Sequence, residues 1–241
     1  MRDYPDIKSP RTLARIGGAL YLAIILLGIF CEMYVRGSIV VAGDAAATAA
    51  NLRSMETLWR AGIAAELVLL VCAIPLTWIL FLLLRPVQRD LALLALLFSV
   101  VTLSVEATTA LDLLAALSPL GKAAYLGAFE PAQLHALAGL ALKAHSHSFG
   151  VTLVFFGVEC VIVGHLIFRS GFLPRTIGVL MQVAGASYLV NSFAIVLAPT
   201  LADVTFAAMV VPVLAGEGSL CLWLLLKGVD EARWLRLDKA A

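Results

Sequence analysis

The chain has 241 residues, of which 62% are hydrophobic and 14% charged, with a formal net charge of +1 and a mean hydropathy of +1.00. An ordinary soluble domain is about 45 to 50% apolar and about 25% charged. Composition therefore excludes a soluble globular core, and so nearly neutral a chain has no electrostatic footprint for nucleic acid.

The apolar residues come in runs rather than stripes, at residues 13–35, 60–84, 91–117, 145–168, 176–198 and 206–226. A helix crosses a bilayer with roughly 20 apolar residues, whereas a barrel strand needs about ten alternating ones. Backbone groups in hydrocarbon must also be satisfied internally. The expectation is an all-α, polytopic membrane helix bundle of six transmembrane helices, with short interfacial helices on its outer face and one integral-membrane domain over residues 1–241.

Orientation follows from the excess of Lys and Arg in cytoplasmic loops. With both termini cytoplasmic, twelve of the 17 basic residues fall inside: Arg2, Lys8, Arg11, Arg15, Arg85, Arg89, Arg169, Arg175, Lys227, Arg233, Arg236 and Lys239. Five fall outside, at Arg36, Arg53, Arg60, Lys122 and Lys143. The first apolar run exceeds the ~7 to 15 residues of a signal h-region, so it is expected to stay as an anchor.

The first run ends in Glu32 and, four residues on, Arg36, the favourable order for a helical ion pair. In the first outer connection Asp44 is placed to cap a short helix over the Ala-rich segment that follows. Arg60 sits just outside Glu66 of the second run. The Arg85 to Asp90 connection is tight, so spans two and three are expected to be antiparallel neighbours.

The third run carries Ser99, Thr102, Glu106, Thr109 and Asp112 on one helical face, and the fourth carries His145, Ser148, Thr152 and Glu159 in a similar stripe. Between these runs, Glu130-Pro131 opens an interfacial helix leading into span four, with Leu134, Leu137 and Ala141 on one face. Gly171 and Pro174 mark a stop and a restart in the basic turn from Arg169 to Arg175. The fifth run holds Asn191, and the sixth holds Glu217 between Gly216 and Gly218, glycines that admit a close neighbour. The tail from Lys227 to Ala241 is amphipathic through Trp234, Leu235 and Leu237, and reads as a topology anchor at the headgroups. Gly18-Ala19-Leu20-Tyr21-Leu22 is echoed by Gly185-Ala186-Ser187-Tyr188-Leu189, a match that low-diversity membrane sequence produces readily by chance.

An ionised carboxylate at the bilayer centre costs on the order of 2.5 to 3.5 kcal/mol even on the lenient insertion scale. Glu32, Glu66, Asp112, His145 and Asn191 fall in the outer half by helical rise, and Glu106, Glu159 and Glu217 nearer the middle. With Arg36 and Arg60 they are the candidate lining of an outward-facing polar cavity. The competing reading is that the buried acids are glue between helices, each worth about 0.6 kcal/mol.

His145, Asp112 and Glu66 have the chemistry for Zn²⁺, but no His-Glu-x-x-His spacing supports a metal, and no cofactor is expected. Cys31, Cys72, Cys160 and Cys221 are scattered singly and read as packing residues. The expected partners are the lipid bilayer and a small molecule or ion.

Three stretches, Val35 to Leu52, Leu80 to Ala95 and Leu153 to Phe193, carry a resemblance, most specifically through Gly-Asp-Ala-Ala-Ala-Thr and Arg-Ser-Gly-Phe-Leu-Pro-Arg. The chain resembles an uncharacterised bacterial multi-pass membrane family, domain-of-unknown-function family 4386. The resemblance implies a bacterial cytoplasmic-membrane protein and carries over no catalytic residue. Three functions suit these residues: a small-solute or ion-coupled carrier, a non-catalytic assembly or sensor protein, and an enzyme acting on a lipid with His145 as acid/base beside Asp112 or Glu66.

Overall fold

The structure is a computed structural model that describes residues 9–240; Arg2 and Lys8, counted in the charge balance, lie outside them. The described residues are helical almost throughout. In chain order they form α1 (Pro10–Ile29), a π-helical stretch (Phe30–Arg36), a single turn α2 (Gly37–Ile39), α3 (Ala45–Ser54), α4 (Glu56–Leu84), α5 (Arg89–Ala115), α6 (Pro131–Ser170), α7 (Arg175–Leu197), α8 (Ala202–Leu226) and α9 (Glu231–Ala240). Among the described residues, six helical stretches are long and apolar enough to cross a membrane: Pro10–Ile39, Glu56–Leu84, Arg89–Leu120, Pro131–Ser170, Arg175–Leu197 and Pro199–Leu226. The protein is a multi-pass, all-α membrane protein.

Helix boundaries follow local chemistry. The Ser9 hydroxyl accepts the Thr12 amide at 3.3 Å, capping α1 ahead of Pro10. Asp44 caps α3 as its position predicts, with Oδ1 accepting the Ala47 amide at 2.8 Å. Between α6 and α7, Gly171 takes φ 67°, a left-handed conformation only glycine enters freely, and Pro174 is the N-cap of α7.

One element differs from expectation. The segment opened by Pro131 is not a separate interfacial helix but the first part of α6, which runs unbroken for 40 residues. No proline interrupts it after the first position, and at about 1.5 Å per residue it is far longer than a hydrocarbon core of about 30 Å requires.

The described residues fall into two compact units. The first takes the residues up to Leu22, Ala73–Thr102 and those from Leu153 onward; the second takes Ala23–Cys72 and Leu103–Thr152. The second has its core at Val35, Ile39, Leu52, Trp59, Ile63 and Leu113, where Trp59 Nε1 donates to the Leu113 carbonyl at 3.0 Å. The Asn51 amide donates to the Ile39 carbonyl and fastens α3 onto the end of α2. The first unit is built on small residues: α6 and α7 approach through Gly164 against Gly178 and Gly157 against Gly185, the packing expected where lipid offers no hydrophobic drive.

Candidate functional site

In the second unit Glu32, Arg36 and Glu66 meet at the π-helical stretch. Opening the turn from four to five residues, seen in the Gly37 amide bonding to the Glu32 carbonyl, changes the direction of the following side chains. Arg36 Nε donates to Glu32 Oε2 at 3.0 Å, and a second guanidinium nitrogen meets Glu32 Oε1. Arg36 Nη1 also lies 3.2 Å from Glu66 Oε2. Arg36 and Glu66 side chains are 16% and 6% exposed and Glu32 51%, so one guanidinium bridges a buried carboxylate and an open one. Arg60 does not join them; its Nε bonds Glu56 at 2.8 Å, one helical turn away. A narrow cleft beside Arg36, lined also by Cys31, Trp59, Gly62 and Leu113, has room for about 10 Å³.

The polar stripes of α5 and α6 face each other. His145 Nδ1 bonds the Thr109 carbonyl at 3.1 Å, and the Ser148 hydroxyl donates to Asp112 Oδ2 at 3.3 Å. The His145 ring stacks with Phe149. Thr102 and Thr152 turn their hydroxyls back to carbonyls of their own helices, at Phe98 and Ser148. Glu106 is half-buried on the same helix as Thr109. Among the described residues, no three His, Cys, Asp or Glu side chains gather as a metal site would need.

In the first unit the chemistry centres on Glu217 of α8. Tyr188 of α7 donates its hydroxyl to Glu217 Oε1 at 2.5 Å, and Tyr21 of α1 donates to Oε2 at 3.2 Å. Both tyrosines are buried, and the Tyr188 ring meets Phe156 edge to face. Each oxygen of one carboxylate is thus held by a phenol from a different helix. These are the tyrosines of the two echoed pentapeptides. Their glycines work alike as well: Gly18 lies against the backbone of Leu224 and Leu225, and Gly185 against that of Gly157 and Val161. Of the two glycines beside Glu217, only Gly216 admits a neighbour, the Leu180 carbonyl and Ala184.

Glu159 is buried and hydrogen-bonds to Ser99. Both line a second cleft of about 10 Å³ with Thr77, Phe81 and Leu84. Glu159 lies within electrostatic reach of Glu217. Asn191 Oδ1 accepts from Thr205 at 3.0 Å, joining the last part of α7 to the first turn of α8.

Tyr21 and Tyr188 are not among the ten sequence candidates, which are acids, bases and the amide Asn191. The signal that marked them was the pentapeptide echo.

Residues 16–228 match the family described as Domain of unknown function (DUF4386). The chain belongs to this family. No curated protein and no solved structure matches it. The DUF4386 match takes in Tyr21, Tyr188 and all ten charged or polar candidates, and it ends before α9. In this DUF4386 protein the chemistry on offer is that of carboxylates. One set shares a guanidinium between two acids, and the other holds an acid between two phenols. Both can take up a proton or a cation.

Proposed function

We propose that the protein is an ion-coupled small-solute carrier of a bacterial cytoplasmic membrane, with both termini on the cytoplasmic side. The observation that carries this reading is the Glu217 carboxylate, set within a membrane-crossing helix and held by two neutral hydroxyl donors. Among the described residues no Lys, Arg or His forms an ion pair with it. Hydrogen bonds from phenols fix its geometry without supplying positive charge. Taking up a proton or a monovalent cation would therefore change the net charge of the helix bundle, and this is the coupling event. The Arg36 set supports the reading, since two carboxylates against one guanidinium leave one negative charge over when all three are ionised. The basic residues, twelve of 17 on one side of the six runs, support the orientation.

The test is proton movement in proteoliposomes loaded with a pH dye and challenged with sugars, amino acids, organic cations and monovalent metal ions. At least one class should drive proton or cation movement in the native protein. Glu217→Gln should abolish it, and Tyr21→Phe should weaken it. Traces indistinguishable from protein-free vesicles for every class would sink the carrier.

A second reading, a non-catalytic assembly or sensor protein, is favoured by one observation. Asp112, Asn191 and Glu66 each have a partner of their own, in Ser148, Thr205 and Arg36. On that reading Glu66→Gln and Glu217→Gln leave function intact. An enzyme acting on a lipid fits less well, because the His145 Nδ1 bond goes to a backbone carbonyl rather than a carboxylate.

A further inference from the structure

We infer that Glu159 is the port through which Glu217 exchanges its proton with water, on the side of the membrane where α4 turns into α5. The inference deepens the carrier reading and rests on its assignment of Glu217 as the ion-binding group. Both acids belong to the first unit and to membrane-crossing helices, α6 and α8. Phe156 and Gly157 of α6 pack on Tyr188 and Gly185 of α7, so Glu159 and Cys160 follow directly on the stretch that lies against the phenol holding Glu217. Glu159 and Glu217 are within electrostatic reach of each other, and Cys160 is within reach of both. Among the described residues neither acid forms an ion pair with Lys, Arg or His. The other titratable groups around them, Tyr21, Tyr188, Cys160 and Cys221, are phenols and thiols, which ordinarily keep their protons at neutral pH.

The two acids differ in what they face. Each oxygen of Glu217 accepts from a phenol, whereas Glu159 lines a cleft between α4, α5 and α6. Leu84, Ala92 and Val163 lie toward the α4–α5 turn, and Thr77, Ser99 and Glu159 lie further along the same three helices. At about 1.5 Å per residue, the stretches from Leu84 to Thr77 and from Ala92 to Ser99 each run for about 10 Å. The polar lining therefore gathers at the deep end, where Ser99 hydrogen-bonds to Glu159. The room there, about 10 Å³, is on the order of what one water molecule needs. Two carboxylates close together in a low-dielectric interior do not both ionise. A single proton on the pair is thus handed over rather than released: it leaves a Glu217 oxygen and binds a Glu159 oxygen, and the pair carries one negative charge before and after. From Glu159 it passes to water in the cleft. In the proposed orientation this is the cytoplasmic exit.

Infrared spectroscopy of the full chain in lipid nanodiscs tests it. The carboxylic-acid C=O band of Glu217, identified by its loss in Glu217→Gln, shifts as its proton exchanges for deuterium, and the rate is read after transfer to heavy water. Glu159→Gln should slow this exchange by about tenfold or more, as loss of a positioned proton-transfer group implies. Glu159→Asp, which keeps an acid there, should restore most of the rate. Exchange at the native rate in Glu159→Gln overturns the port. So does an equal slowing in Glu159→Asp, since side-chain shape rather than acidity would then be at work. Should Glu159→Gln fail to fold, Ala95→Val, which narrows the cleft and leaves both acids in place, decides in the same way. Absence of a Glu217 acid band at every pH would sink the carrier reading together with the port, whereas a normal band whose exchange ignores Glu159 sinks the port alone.

Discussion

Gly18, three residues before Tyr21, and Gly218, next to Glu217, predict opposite outcomes. A methyl group at Gly18 would sit 2.3 Å from the Leu225 amide nitrogen, and backbone cannot move aside as a side-chain tip can. Gly18→Ala should therefore push α1 away from α8, withdraw Tyr21 from Glu217, and cost about 1 to 3 kcal/mol of overpacking. At Gly218 nothing lies within 4 Å, so Gly218→Ala should be neutral or stabilise by up to about 1 kcal/mol through helix propensity. Thermal unfolding of the two purified variants in one detergent would separate them, and equal midpoints would contradict the close approach of α1 to α8. From the sequence the two glycines next to Glu217 look alike. Which of them faces a helix depends on the rotation of α8, and a repeat of small residues does not state it.

At the scale of the element, the short-range signals were the readable ones. Asp44 announces α3 because a cap is made by a side chain and an amide three residues on, with no help from the rest of the chain. Asp44→Ala should destabilise α3 by about 1 kcal/mol, and Asp44→Asn should recover most of it. Hydrogen exchange at the Ala47 amide is the measurement; exchange unchanged in the alanine variant would mean that the Thr48 and Asn51 contacts alone hold the helix. The extent of α6 was not readable in the same way. A polar, amphipathic stretch before an apolar one looks like two elements, yet without a proline or a turn between them the backbone bonds simply continue. The π-helical stretch is likewise silent in sequence: Glu32 and Arg36 are spaced for an ordinary α-helical pair, and that spacing states neither the widened turn nor the contact with Glu66.

For the whole molecule, the proposed orientation predicts that a green fluorescent reporter fused after residue 241 folds in the cytoplasm and fluoresces. An alkaline phosphatase reporter placed after Ser54 should be active, and one after Gln88 inactive. The reverse pattern would overturn the orientation while leaving the six spans in place. By itself the sequence determined that the chain is an all-α membrane protein, how many times it can cross, and where short helices and turns begin. These are consequences of hydropathy, length and caps, which act over a few residues or sum over a run. Only the tertiary structure decided the partners: Glu66 with Arg36 and not Arg60, His145 with a carbonyl and not an acid, and Glu217 between Tyr21 and Tyr188. Those pairings depend on how each helix is rotated and how closely its glycines let the next one approach. That is set by packing between residues far apart in the chain.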